Sequence, residues 1–232
     1  MKSVIGALVG AMDKNYKISK KKEYIKPLSS YAEQREVGGK AYNLMKLIHA
    51  NYNVPDGFVV TTKSYRYWKK NKRLPSEIFD ELKRYLEWFS YSMQFPLIVR
   101  SSATVEDAGK ASFAGIFTSY PNAKSIEDII ERIEKIYSDA NSTRVVDYCK
   151  LHRIKLDSVE MAVLVQKQLN PKYSGILFTR NPVNGKDEIV LEYVDGVPWN
   201  LASGSEEHTN RILLNEKSKK FNELHRISKE IE

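Results

Sequence analysis

Three short segments of this 232-residue chain carry residue types suited to handling a polyanion. The first is Val37-Gly38-Gly39-Lys40. Two glycines let the backbone approach a ligand closely, and a helix entered through them points free amides and the positive end of its dipole at the same place. Lys40 adds a mobile point charge there. The second is Val99-Arg100-Ser101-Ser102-Ala103-Thr104, followed by Ala111-Ser112-Phe113-Ala114-Gly115. An arginine at a strand end can hold phosphate oxygens in bidentate fashion, with hydroxyls and small residues leaving room beside it. The chain around Gly115 can form a flap over such a ligand. The third is Val165-Gln166-Lys167-Gln168-Leu169. A side-chain amide both donates and accepts, so Gln166 between apolar strand residues can read an adenine edge. Taken singly, each segment also fits an ordinary turn, hairpin or solvent-facing strand edge.

The elements that must position these residues follow from periodicity. Ala41, Leu44, Met45 and Ile48 recur at helical spacing, which predicts a helix over 39–51. Val54-Pro55-Asp56-Gly57 is turn chemistry, and 58–61 is a short buried strand. A second helix spans 76–89, and a strand covers 97–100. Ser125-Ile126-Glu127-Asp128 has the form of a capping box. It opens a long helix reaching His152, with a break near Asn141. Past residue 158 the texture turns β-rich, with runs at 159–168, 173–179 and 187–194 read as an antiparallel meander, and 212–214 as a further strand. The fold class is therefore α+β, helix-rich first and strand-rich later, with a subdomain boundary placed near residue 155. Residues 217–232 read as a charged terminal helix or tail.

Composition narrows the function classes. Apolar residues make up 42 % of the chain, enough for a true core. Lys and Arg number 37 against 29 Asp and Glu, a net charge of +8 that favours an anionic partner. The single cysteine, Cys149, excludes an internal disulfide framework and points to a reducing, cytoplasmic setting. No stretch approaches the ~20 apolar residues of a spanning helix. Residues 1–24 read as an N-terminal extension. Their apolar run at 4–12 lacks a cleavage site, and the lysines at 17–26 lack the interleaved aromatics of a nucleic-acid surface.

The segments gain specificity in combination. Val37-Gly38-Gly39-Lys40-Ala41-Tyr42-Asn43-Leu44, Val54-Pro55-Asp56-Gly57-Phe58, Val99 through Asp107, and Ala111-Ser112-Phe113-Ala114-Gly115 resemble one family in residues and order. It is the N-terminal nucleotide-binding domain of phosphoenolpyruvate synthase and pyruvate phosphate dikinase. Ser174 through Pro182 extends the match. The resemblance implies an ATP-grasp-like fold over 25–232, with two lobes clamping ATP. It makes Lys40 and Arg100 phosphate ligands, with Arg100 the catalytic candidate. By the same motifs Gly115 belongs to the phosphate loop, Ser119 takes the place of a hydroxyl usually supplied by threonine, and Gln166 faces the base.

Departures from the family pattern set further expectations. The carboxylates that hold Mg2+ in the family lie in a segment that the sequence ending at Glu232 does not contain, so the chain reads as C-terminally truncated and its metal ligands are unknown. Asp195-Gly196-Val197-Pro198-Trp199 replaces a motif that ends in glutamate. None of His49, His152, His208 and His225 sits in the setting of a phosphocarrier histidine. The expected function is an ATP-binding module that delivers phosphate toward a histidine on a separately encoded subunit. The alternative is a non-catalytic nucleotide sensor or scaffold. Nucleic-acid binding through the basic surface ranks last, and no membrane partner is expected.

Overall fold

The structure is a computed structural model, and it describes residues 23–105, 113, 116–197 and 210–214. In chain order its elements are β1 (Ile25–Pro27), α1 (Gln34–His49), β2 (Gly57–Val60), α2 (Thr62–Asn71), α3 (Glu77–Trp88), β3 (Leu97–Ala103), β4 (Ser119–Ala123), α4 (Ile126–Asp139), α5 (Thr143–Leu151), β5 (Met161–Lys167), β6 (Tyr173–Phe178), β7 (Ile189–Asp195) and β8 (Asn210–Leu214). The fold is a mixed α+β architecture with two antiparallel sheets. One has the order β1-β2-β5-β3-β4, and the other β6-β7-β8.

β5 is the central strand of the larger sheet because its residues are apolar on both faces. Met161 through Gln166 are all buried, the signature of a strand covered on two sides. Met161, Val163 and Val165 pack with Ile78 and Leu82 of α3 and with Ile129 and Ile133 of α4. Ala162 and Leu164 face the opposite way, onto Val37, Ala41 and Met45 of α1. Fully burying one such aliphatic side chain stabilises by about 1.5–3 kcal/mol, against at most about 1 kcal/mol for an exposed ion pair. The two apolar layers therefore hold the sheet, and pairs such as Lys69–Asp157 at 2.8 Å add little.

This arrangement corrects the reading of the β-rich runs as one meander. β6, β7 and β8 do form one, but β5 leaves them to pair with β2 and β3. The change of sheet falls between β5 and β6, after residue 155. The long helix does break where expected, with α4 ending at Asp139 and α5 starting at Thr143. Ser125 caps α4 by accepting from the Asp128 amide at 3.1 Å, but the Asp128 carboxylate reaches back to the Lys124 amide at 2.7 Å rather than to that of Ser125. Half of the expected capping box is thus realised one residue further out. α1 begins at Gln34, five residues earlier than the periodicity placed it. Its capping box joins Glu33 and Glu36, and Lys26 at 3.0 Å from Glu36 holds that carboxyl below its ordinary pKa.

Three elements escaped the pattern reading: β1, α2 and β4. β1 and β4 are the edges of the larger sheet, and each contains a proline, Pro27 and Pro121. Proline lacks an N–H and is tolerated where no further strand pairs.

Candidate functional site

The site is assembled where α1 lies on β3. α1 is a helix in two pieces, split at Gly38, whose φ of 75° and ψ of 169° are non-helical. The split brings the backbone against β3. A Cβ on Gly38 would lie 1.9 Å from the Ser102 carbonyl oxygen and 2.5 Å from its Oγ. Only glycine fits this contact, which gives the first glycine of the Gly-Gly-Lys segment a packing reason.

Ser102 joins the two elements. Its hydroxyl donates to the Val37 carbonyl at 2.8 Å and accepts from the Ala41 amide at 3.1 Å. One first-turn amide of the second helical piece is thus capped by a side chain 61 residues away, where the sequence alone leaves these amides free. Lys40 immediately precedes Ala41 and is half-buried.

Arg100 lies two residues before Ser102 on β3, so both side chains stand on the face that α1 covers. It is half-buried, opposite Leu164 of β5 on one side and Ser119 of β4 on the other. Ser119 is exposed. Gln166 pairs with Ile98 and Gly57, which places it on the same face, toward the start of β3. It is buried, and its Nε2 donates to the Pro55 carbonyl at 3.1 Å. The amide thereby anchors the turn entering β2. Four of the five residues picked from sequence (Lys40, Arg100, Ser119 and Gln166) belong to this face or to the helix packed on it. Gly115 lies outside the described residues.

Phe113, two positions before Gly115 in the sequence, is 2 % exposed and packs against Val145 and Cys149 of α5 and against Val159. Its ring lies 4.8 Å from that of Tyr148 and 5.3 Å from that of Phe117. Burial pushes the Cys149 thiol pKa up, so it remains a neutral packing group.

Two residues at the edge of this assembly have roles the sequence reading did not assign: Ser102, read there only as a hydroxyl beside Arg100, and Thr62, whose Oγ1 donates to the Arg35 carbonyl at 2.9 Å and ties α2 to α1. Ser102 was accessible in principle, because it shares a strand face with Arg100. The histidines play local parts. His49 ends α1, stacks on Tyr31 at 3.8 Å, and places Nε2 3.3 Å from the Ser30 carbonyl, outside its own helix. His152 is the C-cap residue of α5. Glu192 pairs with Arg211 at 3.5 Å. Glu206, Glu207, His208 and His225 lie outside the described residues. Among the described residues no group of three or more His, Cys, Asp or Glu could hold a metal ion, and no helix is long and apolar enough to cross a membrane.

Comparison with known proteins places the chain in a family. The probable phosphoenolpyruvate synthase of Archaeoglobus fulgidus is 28 % identical over 205 residues, covering 72 % of this chain and 27 % of the relative. The phosphoenolpyruvate synthase of Aeropyrum pernix is 31 % identical over 208 residues, covering 72 % and 25 %. An uncharacterised phosphotransferase of Bacillus subtilis is 29 % identical over 184 residues, covering 72 % and 22 %. The chain thus spans about a quarter of the length of these relatives. A family profile described as the pyruvate phosphate dikinase AMP/ATP-binding domain matches residues 34–90 and 68–232. With its Gly-Gly-Lys turn fitted against the arginine-bearing strand, the chain belongs to the pyruvate phosphate dikinase AMP/ATP-binding domain family.

Proposed function

We propose that this domain binds ATP in an ATP-grasp-like clamp and supplies a phosphoryl group to a phosphocarrier histidine on a separate chain, in a system resembling phosphoenolpyruvate synthase. Lys40 and Arg100 neutralise the polyphosphate. Lys40 acts as a mobile point charge, and Arg100 as a planar fork matched to phosphate oxygens. The Gly115 loop and the Ser119 hydroxyl complete the phosphate cradle. Gln166 uses one of its two amide hydrogens on Pro55 and meets the base with the other and with Oε1. Phosphoryl transfer depends mainly on positioning and on stabilising developing charge, which is the work assigned to these residues. Mg2+, if bound, would supply charge neutralisation at the phosphates in such a reaction. The described residues offer no donor set that fits it, so no residue is assigned to the metal and no step is routed through it.

The observation that carries this reading is the Ser102 tie, which seats the Gly-Gly-Lys turn on the strand face that bears Arg100. The test is calorimetric titration of the chain with ATP, repeated on Arg100→Ala. Loss of a charge-assisted contact is expected to weaken binding by about 10- to 150-fold. Equal affinity in the two proteins would overturn the assignment.

A second reading, a nucleotide sensor or scaffold without turnover, draws on the lack of an acidic cluster among the described residues. The two readings part on transfer. Mixing the chain with ATP and candidate histidine-bearing subunits yields phosphohistidine under the first, and bound but unreacted ATP under the second.

A further inference from the structure

We propose that Ser102 is a positioning residue of the polyphosphate site, whose hydroxyl fixes the spacing between Lys40 and Arg100. This rests on the ATP-binding reading above. Ser102 is fully buried, and its Oγ makes one donated and one accepted hydrogen bond, to Val37 and from Ala41. Those two bonds define a single orientation of the hydroxyl. They also span the break at Gly38, so α1 is gripped on both sides of its kink. The close approach is available only because residue 38 has no side chain.

The two cations are set from these anchor points. Lys40 is one residue before Ala41, and Arg100 two residues before Ser102. They stand on different elements, a helix and a strand. The apolar contacts of Val37 and Ala41 press the helix onto the sheet, but such contacts are non-directional and do not fix where it sits along the strand. The Ser102 hydrogen bonds do, because their geometry is narrow. A ligand with several phosphates engages both cations and depends on their spacing. A ligand with one phosphate does not.

The test uses isothermal titration of the whole chain with AMP, ADP and ATP, alongside thermal melts. The proteins are wild type, Ser102→Ala, Ser102→Cys, Lys40→Ala and the double variant Lys40→Ala/Ser102→Ala. In Ser102→Ala, ATP binding is expected to weaken about tenfold while AMP binding changes less than about twofold, with ADP between them. The double variant is expected to bind ATP within about twofold of Lys40→Ala alone, because the serine acts through the lysine. Ser102→Cys keeps a weak donor and acceptor of similar size, should fall between serine and alanine, and carries the test if Ser102→Ala does not fold. Equal weakening for AMP and ATP, or additive losses in the double variant, would reduce Ser102 to a stabilising contact and overturn the proposal. Wild type that binds none of the three nucleotides would instead remove the ATP-binding reading, and the proposal with it.

Discussion

Replacing Gly38 with alanine tests whether the α1–β3 contact is as close as described. Two penalties combine. The backbone at φ 75° and ψ 169° lies in a region open essentially to glycine, and holding alanine there costs about 1–3 kcal/mol. The new methyl would also stand 1.9 Å from the Ser102 carbonyl oxygen, a backbone atom that cannot rotate away. Relief requires α1 and β3 to part by more than an ångström, which opens both Ser102 hydrogen bonds at about 1 kcal/mol each. The sum is about 3–5 kcal/mol, a large share of the ~5–15 kcal/mol that holds a typical domain. At about 2–4 °C per kcal/mol for a chain of this size, Tm should fall by about 6–20 °C. Circular dichroism melts measure it. Gly185→Ala is the control: Gly185 also has positive φ, but a Cβ there meets nothing within 4 Å, so only about 1 kcal/mol of strain is expected. A Gly38→Ala protein that melts within 3 °C of wild type, or level with Gly185→Ala, would refute the close-contact argument.

Other consequences are open to direct measurement. Glu81 is buried and accepts from the Tyr24 and Ile25 amides through one oxygen, at 2.9 and 3.0 Å; burial raises its pKa above 4.5, and the two amides oppose the rise only in part. A raised folded pKa means that its stability contribution is complete below the unfolded value and lost as pH climbs through the folded one. Glu81→Gln keeps an acceptor for both amides, so its Tm relative to wild type should increase from pH 4 to pH 7; a flat or falling difference would contradict this. Phe113→Ala should destabilise by about 3–5 kcal/mol in urea unfolding, because the ring fills the pocket between α5 and Val159. A loss below about 1 kcal/mol would show the pocket to be loosely packed. Arg132 donates to the Tyr120, Pro121 and Asn122 carbonyls, so Arg132→Ala should lower stability by about 1–3 kcal/mol in the same assay, with Arg132→Lys recovering only part.

Much of the fold was legible because apolar spacing records burial. The stripes of α3 and α4, and the break at Asn141, could be read directly. What stayed hidden has particular causes. α2 presents Tyr65 and Trp68 among lysines, and its aromatics pack on Tyr137 rather than forming an aliphatic stripe. β4 gives no strand pattern because it contains Pro121 and Asn122, the latter at φ 63°. It is nonetheless a strand, held by Arg132 and by reciprocal amide bonds between Asn122 and Gln168 at 2.7 and 2.8 Å. At the site, residue type and order singled out Lys40 and Arg100 as candidates. The Ser102 hydroxyl stood in the same segment, but its bonds to α1 were not visible, because its partners lie 61 and 65 residues away and no local pattern encodes that distance. The pairing of β5 with β2 and β3 is non-local in the same way.

The two proline-bearing edges of the larger sheet bear on how this domain can join others. β1 is three residues long and ends at Pro27, which offers no N–H to an incoming strand. At the other edge, Pro121 lacks the same group, and the Tyr120, Pro121 and Asn122 carbonyls are occupied by Arg132. Among the described strands, neither margin of this sheet is a good template for strand addition, so pairing through its edges is disfavoured. Strand pairing with a further domain is then left to the smaller sheet, whose outer strands β6 and β8 contain no proline, while the ladder of the larger sheet keeps its own register.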